Sequence, residues 1–162
     1  MSSDVRVRRL QKADAEGVAS IYLQSARHHA AIDPERYVVP LFDEVVKRYR
    51  EGGQHPDPVR GVTFVAVCGR EVAGFVDGWL QHPMDLMHRP CTYCYIAEIA
   101  VAESMRSSGI GTLLMRAIED WGRQLGATFA SLDYNTNNPR AGAFYRDRMG
   151  YRSASSMMIK PL

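Results

Sequence analysis

The stretch Tyr93–Arg116, Y-C-Y-I-A-E-I-A-V-A-E-S-M-R-S-S-G-I-G-T-L-L-M-R, decides how this chain is read. Tyr95-Ile96-Ala97-Glu98-Ile99-Ala100-Val101 is an apolar, β-rich run with one carboxylate in it. A polar arch follows, Arg106-Ser107-Ser108-Gly109-Ile110-Gly111. Beyond it Leu113, Leu114, Ala117, Ile118, Trp121 and Leu125 recur at helical spacing, with Arg116, Glu119, Asp120 and Arg123 between them. A strand that enters a helix through a glycine arch is built for anions. The helix start has unpaired N–H groups and the positive end of the dipole, and glycine lets the backbone approach a phosphate without a Cβ in the way.

The spacing narrows the ligand. A dinucleotide fingerprint G-x-G-x-x-G beginning at Gly109 needs glycine at 114, where Leu114 stands, and G-x-x-x-x-G-K-[ST] does not occur in the chain. The pattern that does fit is R/Q-x-x-G-x-G/A, filled by Arg106, Gly109 and Gly111. It resembles the acyl-CoA-binding signature of the GNAT superfamily of N-acetyltransferases. A second part of the resemblance is Asn138-x-x-Ala141-x-x-x-Tyr145 followed by Gly150-Tyr151, where the family commonly has G-F. Arg146-Asp147-Arg148-Met149 makes that spacing one residue longer than the commonest one.

The elements read along the chain follow the same order. Val5 and Val7 alternate with arginines as a first strand, and Asp14 is placed to cap a helix through about Ser25. A bent helix–loop is expected over 26–40, then a helix with Leu41, Val45, Val46 and Tyr49 inward, closed by Gly52-Gly53. Val62–Val67 and Val72–Leu80 read as a hairpin about Gly69-Arg70. The central strand, arch and helix come next. A strand over Ala127–Tyr134, a helix over Arg140–Met149 and a last strand over Tyr151–Lys160 complete the chain. The order is β-α-α-β-β-β-α-β-α-β. By resemblance this is the α/β (α+β) acyl-CoA N-acyltransferase fold, a mixed central sheet flanked by helices, as one domain over residues 1–162.

The resemblance implies acetyl-CoA as co-substrate and an amine acceptor. The backbones of Ile99, Ala100 and Val101 would pair with pantetheine where this strand splays from the next. The amides of Ser107, Ser108, Gly109, Ile110, Gly111 and Thr112 would hold the pyrophosphate, with Arg106 adding charge. Asn138 would hydrogen-bond the pantetheine arm and Tyr145 would sit beside the thioester sulfur. Acetyl transfer needs such groups. A phenol held near the sulfur supports the leaving thiolate, and an alkyl ammonium must lose a proton to attack. Glu98 is the candidate base, since burial would raise its pKa into a useful range. Asp133 or a relaying water are the alternatives for the base, and for Tyr145 the alternative is a purely packing role.

The acceptor is not named by the sequence. His28, His29, Asp33, Glu35, Arg36 and Tyr37 are expected on one wall of its pocket, and the Gln81–Cys94 loop, with His82, Asp85, His88 and Arg89, on the other. Small-molecule amines and protein amines both stay open, as does a catalytically weak acyl-CoA-binding or sensing domain of the same fold. Several other classes lose ground. The 162 residues are 46% hydrophobic and 23% charged with a net charge of +2, and the basic residues are scattered, so no nucleic-acid footprint is expected. No run approaches the roughly 20 apolar residues of a membrane span. Three cysteines and no apolar leader behind Met1–Asp4 point to cytoplasm. Cys91-Thr92-Tyr93-Cys94 is a single C-x-x-C, so no metal is expected. The Met84, Met87 and Met157-Met158 side chains are read as core or loop packing. A homodimer is expected from the resemblance alone.

Overall fold

A computed structural model describes residues 5–55 and 57–162; the Met1–Asp4 segment and Pro56 lie outside the described residues. Five strands form one sheet in sequence order: β1 (Val5–Arg9), β2 (Gly61–Cys68), β3 (Glu71–Gln81), β4 (Tyr93–Val101) and β5 (Phe129–Leu132). Neighbours are antiparallel up to β4, and β4 pairs with β5 in parallel. A parallel pair needs a crossover. Here α3 (Ile110–Gln124) supplies it, and its Ile110, Leu114, Met115, Ile118 and Trp121 pack on Val62, Ala66, Val76, Cys94 and Ile96 of one sheet face. The opposite face, with Val65 and Phe75, is covered by α1 (Ala15–Ile32) and α2 (Phe42–Arg50). Glycine permits the closest approach of these layers. A Cβ on Gly78 would lie 2.5 Å from Ile118 Cδ1 and 2.7 Å from the Tyr95 carbonyl.

One extra residue in β4 sets the geometry of everything that follows. Gly78 pairs with Ile96 but Asp77 pairs with Glu98, so Ala97 is a bulge. A bulge re-aims the side chains beyond it. Cys94 and Ile96 face α3, and without Ala97 Glu98 would follow them into that core. With it, Glu98 and Ala100 turn toward α1, while Ile99 and Val101 take the α3 side.

Several boundaries move. The first helix runs on to Ile32, carrying His28 and His29 in its last two turns. Asp14 stands at its start, but its carboxylate is bound by Arg8 (2.7 and 2.9 Å) and the Gln11 N–H (2.7 Å) rather than capping the helix. The Arg8 guanidinium holds the Asp14 carboxyl below its ordinary pKa against the opposing effect of burial. Leu113, Leu125 and Leu41 are exposed, not inward, and β5 is limited to four residues. The helix after Asn138 is α4 (Pro139–Ala143), continued by a π-helical turn over Phe144–Arg148. A π turn absorbs one additional residue, which is where the long Arg146–Met149 spacing goes.

The expected last strand over 151–160 does not form. Tyr151 is tethered by its N–H to the Tyr145 carbonyl (2.9 Å) and by its hydroxyl to Glu119 (2.8 Å), but the chain beyond it has no ladder partner among the described residues. A strand needs an adjoining edge, which alternation alone cannot supply. Met157, Met158 and Ile159 are exposed there, as are Met84 and Met87, so none of these is core. No helix of the described residues is long and apolar enough to cross a membrane.

Candidate active site

The β4–β5 pairing stops at Ile96 and Leu132, although β4 continues to Val101. From Ala97 onward one edge of β4 is therefore free, and a cavity of about 980 Å³ opens along it. Its lining brings together Glu98, Ile99, Ala100, Val101, the arch, Asn138 and Tyr145, with Ser25, His28, His29 and Asp133 at one end. The size suits a ligand of cofactor dimensions.

At the arch, Ser107 and Gly109 both have positive φ (65° and 87°), which turns the backbone sharply into α3. The first backbone bond within the helix is Leu113 N–H to the Gly109 carbonyl (3.2 Å). The N–H groups of Ile110, Gly111 and Thr112 are thus the unpaired donors of the helix start. Thr112 Oγ1, which lies in a cavity-lining residue, is buried without a partner. Such an orphaned polar atom beside free amides fits an anionic or polar ligand group. The two glycines differ. A Cβ on Gly109 would meet nothing within 4 Å, so that position is required by backbone conformation. A Cβ on Gly111 would press on Phe144 Cζ at 3.3 Å, so Gly111 makes room for the π turn rather than for a ligand.

The arch side chains are largely committed to the protein. Ser108 Oγ donates to the Met105 carbonyl (2.5 Å), Ser107 Oγ accepts from Arg140 (3.3 Å), and Arg106 Nε donates to the Val101 carbonyl (3.4 Å). Arg106, Arg140 and Arg148 nonetheless line the cavity, together with Asp147, and Arg106 also pairs with Glu103 (3.7 Å). Asn138 caps α4, its Oδ1 accepting from the Ala141 N–H (3.2 Å), which leaves its amide group for other partners.

Glu98 sits at the other end. Ser25 Oγ donates to Glu98 Oε1 (3.1 Å), and His29 Nδ1 donates to the Ser25 carbonyl (2.8 Å), leaving Nε2 as its unprotonated nitrogen when the ring is neutral. Burial raises the Glu98 pKa, opposed by His29 and by the Ser25 hydrogen bond. Tyr145, half-buried among Tyr134, Phe144 and Tyr151, is pushed up to about 12, first by burial and then by the Glu98 charge. Asp133 is exposed at the rim and accepts from the Tyr95 hydroxyl (3.1 Å).

Sequence reasoning missed two partners of this site. Ser25 was legible only as the residue one turn before His29. Asp77, a carboxylate inside the apolar strand β3, belongs to no motif that would mark it in the sequence. The Gln81–Cys94 loop does not wall this cavity; His82, Asp85 and His88 line a second one, of about 810 Å³, with His55, Trp79 and Tyr93. The loop joins the far end of β3 to the start of β4, away from the free edge. Among the described residues no group of three or more His, Cys, Asp or Glu side chains could hold a metal ion.

Comparison with known proteins bears on the family and the fold. The model of the Acetyltransferase (GNAT) family matches residues 26–151. The chain is 33% identical over 70 residues to the uncharacterized N-acetyltransferase YhdJ of Bacillus subtilis (strain 168), a match covering 43% of this chain and 49% of that protein, about half its length. Among solved structures, a variant of the BH1408 protein from Bacillus halodurans superposes with a TM-score of 0.84 at 23% identity, covering 97% of this chain and 99% of that one. The aminoglycoside N-acetyltransferase AAC(6')-Iy in complex with CoA does so with a TM-score of 0.76 at 16% identity, covering 100% and 97%.

Proposed function

The chain belongs to the GNAT acetyltransferase family, and from that premise we propose that it transfers the acetyl group of acetyl-CoA to a primary amine by direct attack in a ternary complex. The observation that carries this reading is the free β4 edge from Ala97 to Val101, which leads from unpaired helix amides at one end to Glu98 at the other. The backbones of Ile99 and Val101, which alternate with Ala100 and face away from β3, offer pantetheine the hydrogen bonds of an added strand. The amides of Ser107–Thr112 and the Thr112 hydroxyl receive the pyrophosphate, with Arg106 and Arg140 neutralising charge. Asn138 offers its amide to the pantetheine arm.

A cationic acceptor first gives up its ammonium proton to solvent; the neutral nitrogen then attacks the thioester carbonyl, the N–C bond forms, and the C–S bond breaks with its electron pair on sulfur. As the N–C bond forms the nitrogen becomes far more acidic, and Glu98 accepts its proton. Asp133, out at the rim, is better placed to attract a cationic acceptor than to deprotonate it. For Tyr145 the magnitudes choose between two roles. A thiolate whose parent thiol titrates near 8.5 is a weaker base than a phenolate whose parent phenol titrates at about 12, so complete proton transfer to sulfur runs uphill by about 3.5 units. Tyr145 therefore acts as a hydrogen-bond donor to the thiolate, kept protonated by its burial. A homodimer belongs to the same proposal, supported by the exposed apolar residues Met157, Met158 and Ile159.

The test is a thiol-release assay with acetyl-CoA across small-molecule amines, aminoglycosides, amino acids and peptides. Turnover with one class is expected, falling at least tenfold in Glu98→Gln. Binding of CoA esters with no turnover in any class would leave a binding domain, and failure to bind any CoA ester would sink the reading.

A further inference from the structure

The α1/α2 face of the sheet holds a second carboxyl that the transfer scheme does not use. Asp77 on β3 is 1% exposed and lies in a row across three strands, with Thr63 of β2 opposite it on one side and Glu98 of β4 opposite it on the other. Tyr49 of α2 donates its hydroxyl to Asp77 Oδ2 at 2.5 Å, and Thr63 donates to Oδ1. Backbone seals the group from above: a Cβ on Gly53 would overlap Thr63 Oγ1 and reach Asp77 Oδ1 at 3.4 Å. Because Ala97 is a bulge, Glu98 shares the face on which Asp77 is buried. Directly opposed residues on one face have Cβ atoms about 4.5–5.5 Å apart.

We propose that Asp77 is a positioning residue for the transfer reaction: it forms with Glu98 a coupled carboxyl pair, sealed at one end and open to the acceptor pocket at the other, whose joint charge sets the proton affinity of Glu98. This rests on Glu98 being the base. Two carboxyls on adjoining strands, screened from water, cannot ionise independently, so their protons leave in two steps that belong to the pair. With both ionised, Glu98 binds the proton of the acceptor more tightly than it would alone. Arg48 and Tyr49 of α2 and Thr63 of β2 act on Asp77, whose charge is felt by Tyr22 and Tyr49, and Ser25 and His29 of α1 act on Glu98, whose charge is in turn felt by Tyr22, Tyr49 and Tyr145. His29 and Arg48 favour the charged forms. Burial opposes them and is the largest influence on both carboxyls; it holds Asp77 to about 7, with Glu98 adding to the rise.

The experiment follows both carboxyls by ¹³C NMR in the full-length chain, alongside kcat/KM against pH. Glu98→Gln is expected to lower the Asp77 midpoint by on the order of one pH unit. Asp77→Asn is expected to reduce the Glu98 titration to a single step and to remove the higher ionisation from the kcat/KM profile, with the KM for acetyl-CoA unchanged. Should Asp77→Asn not fold, Tyr49→Phe serves in its place. Losing one donor to the carboxylate raises the Asp77 midpoint, and the higher ionisation of Glu98 moves up with it. Midpoints that stay put when the other carboxyl is neutralised overturn the pair, even if Glu98→Gln is slow and the base assignment stands. Full turnover by Glu98→Gln overturns the base assignment itself, and the role of Asp77 in transfer falls with it.

Discussion

Replacing Asp77 with asparagine keeps the shape of the side chain and removes its titration, and the consequence for stability can be worked through. In the folded chain Asp77 titrates at about 7 against an ordinary value of 3.8, a rise of about three units caused first by burial and opposed by the hydrogen bonds from Thr63 and Tyr49. Each unit corresponds to about 1.36 kcal/mol, so the group changes folding stability by roughly 4 kcal/mol. The sign follows from which state holds the proton more tightly. Here it is the folded state, so the stability is fully present below about pH 4 and is lost as pH rises through about 7. This is a large share of the 5–15 kcal/mol that holds a typical domain together. Asparagine resembles the protonated acid: its Oδ1 accepts from one hydroxyl and its amide donates to the other. Below pH 4 the variant should match the parent to within about 1–2 kcal/mol. Above pH 7 it should be the more stable protein by several kcal/mol. Urea unfolding between pH 4 and 8, followed by tryptophan fluorescence, measures both proteins; titrations of groups that do not interact with Asp77 cancel in the difference, which reports on Asp77 together with its effect on Glu98. Parallel stability curves across that window would refute the reasoning, because they would mean that Asp77 is not held protonated by its burial.

Two further outcomes are expected. Tyr145→Phe removes one hydrogen bond to a charged leaving group and should lower kcat by roughly 10- to 100-fold while leaving the KM for acetyl-CoA within about twofold, as steady-state kinetics would show; an unchanged kcat removes Tyr145 from the mechanism. Gly78→Ala would force a methyl against the Tyr95 carbonyl and Ile118, and thermal denaturation should register a loss of about 1–3 kcal/mol or more, the cost of overpacking a backbone contact.

The parts of the fold that were legible are those in which neighbouring residues determine one another. The arch was readable because a positive-φ glycine, an unpaired helix start and an amphipathic helix all lie within Arg106–Trp121. The β2–β3 hairpin was readable because its turn and both alternating strands are contiguous. Failures came where a residue needed a distant partner. The last strand was inferred from apolar alternation, but Arg152–Leu162 finds no edge to join among the described residues. Leu113 and Leu125 fit the helical period and still face solvent, because the covered arc of α3 is narrower than its apolar arc. The Gln81–Cys94 loop was assigned to the acceptor wall by its histidines, and its position at the far end of β4 put it elsewhere.

The candidate site divides along the same line. By itself the sequence determined the glycine arch that leads into α3, the family, and a short set of ionisable side chains from which candidates for a base and a hydrogen-bond donor could be drawn, since each is written within a few residues of its own motif. Only the tertiary structure decided what those side chains can do. Whether Glu98 lies in the α3 core or in the cavity along the free edge of β4 depends on one bulged residue, Ala97, and a bulge is defined by the register of two strands. Whether Asp77 is a stray strand carboxylate or a buried, hydrogen-bonded neighbour of Glu98 depends on the β3–β4 register, on Tyr49 from a helix 28 positions earlier and on Thr63 from the adjoining strand. Proton affinity is set by what surrounds a group in space, through burial, opposed charges and donors, and none of these is carried by the residue's own place in the chain.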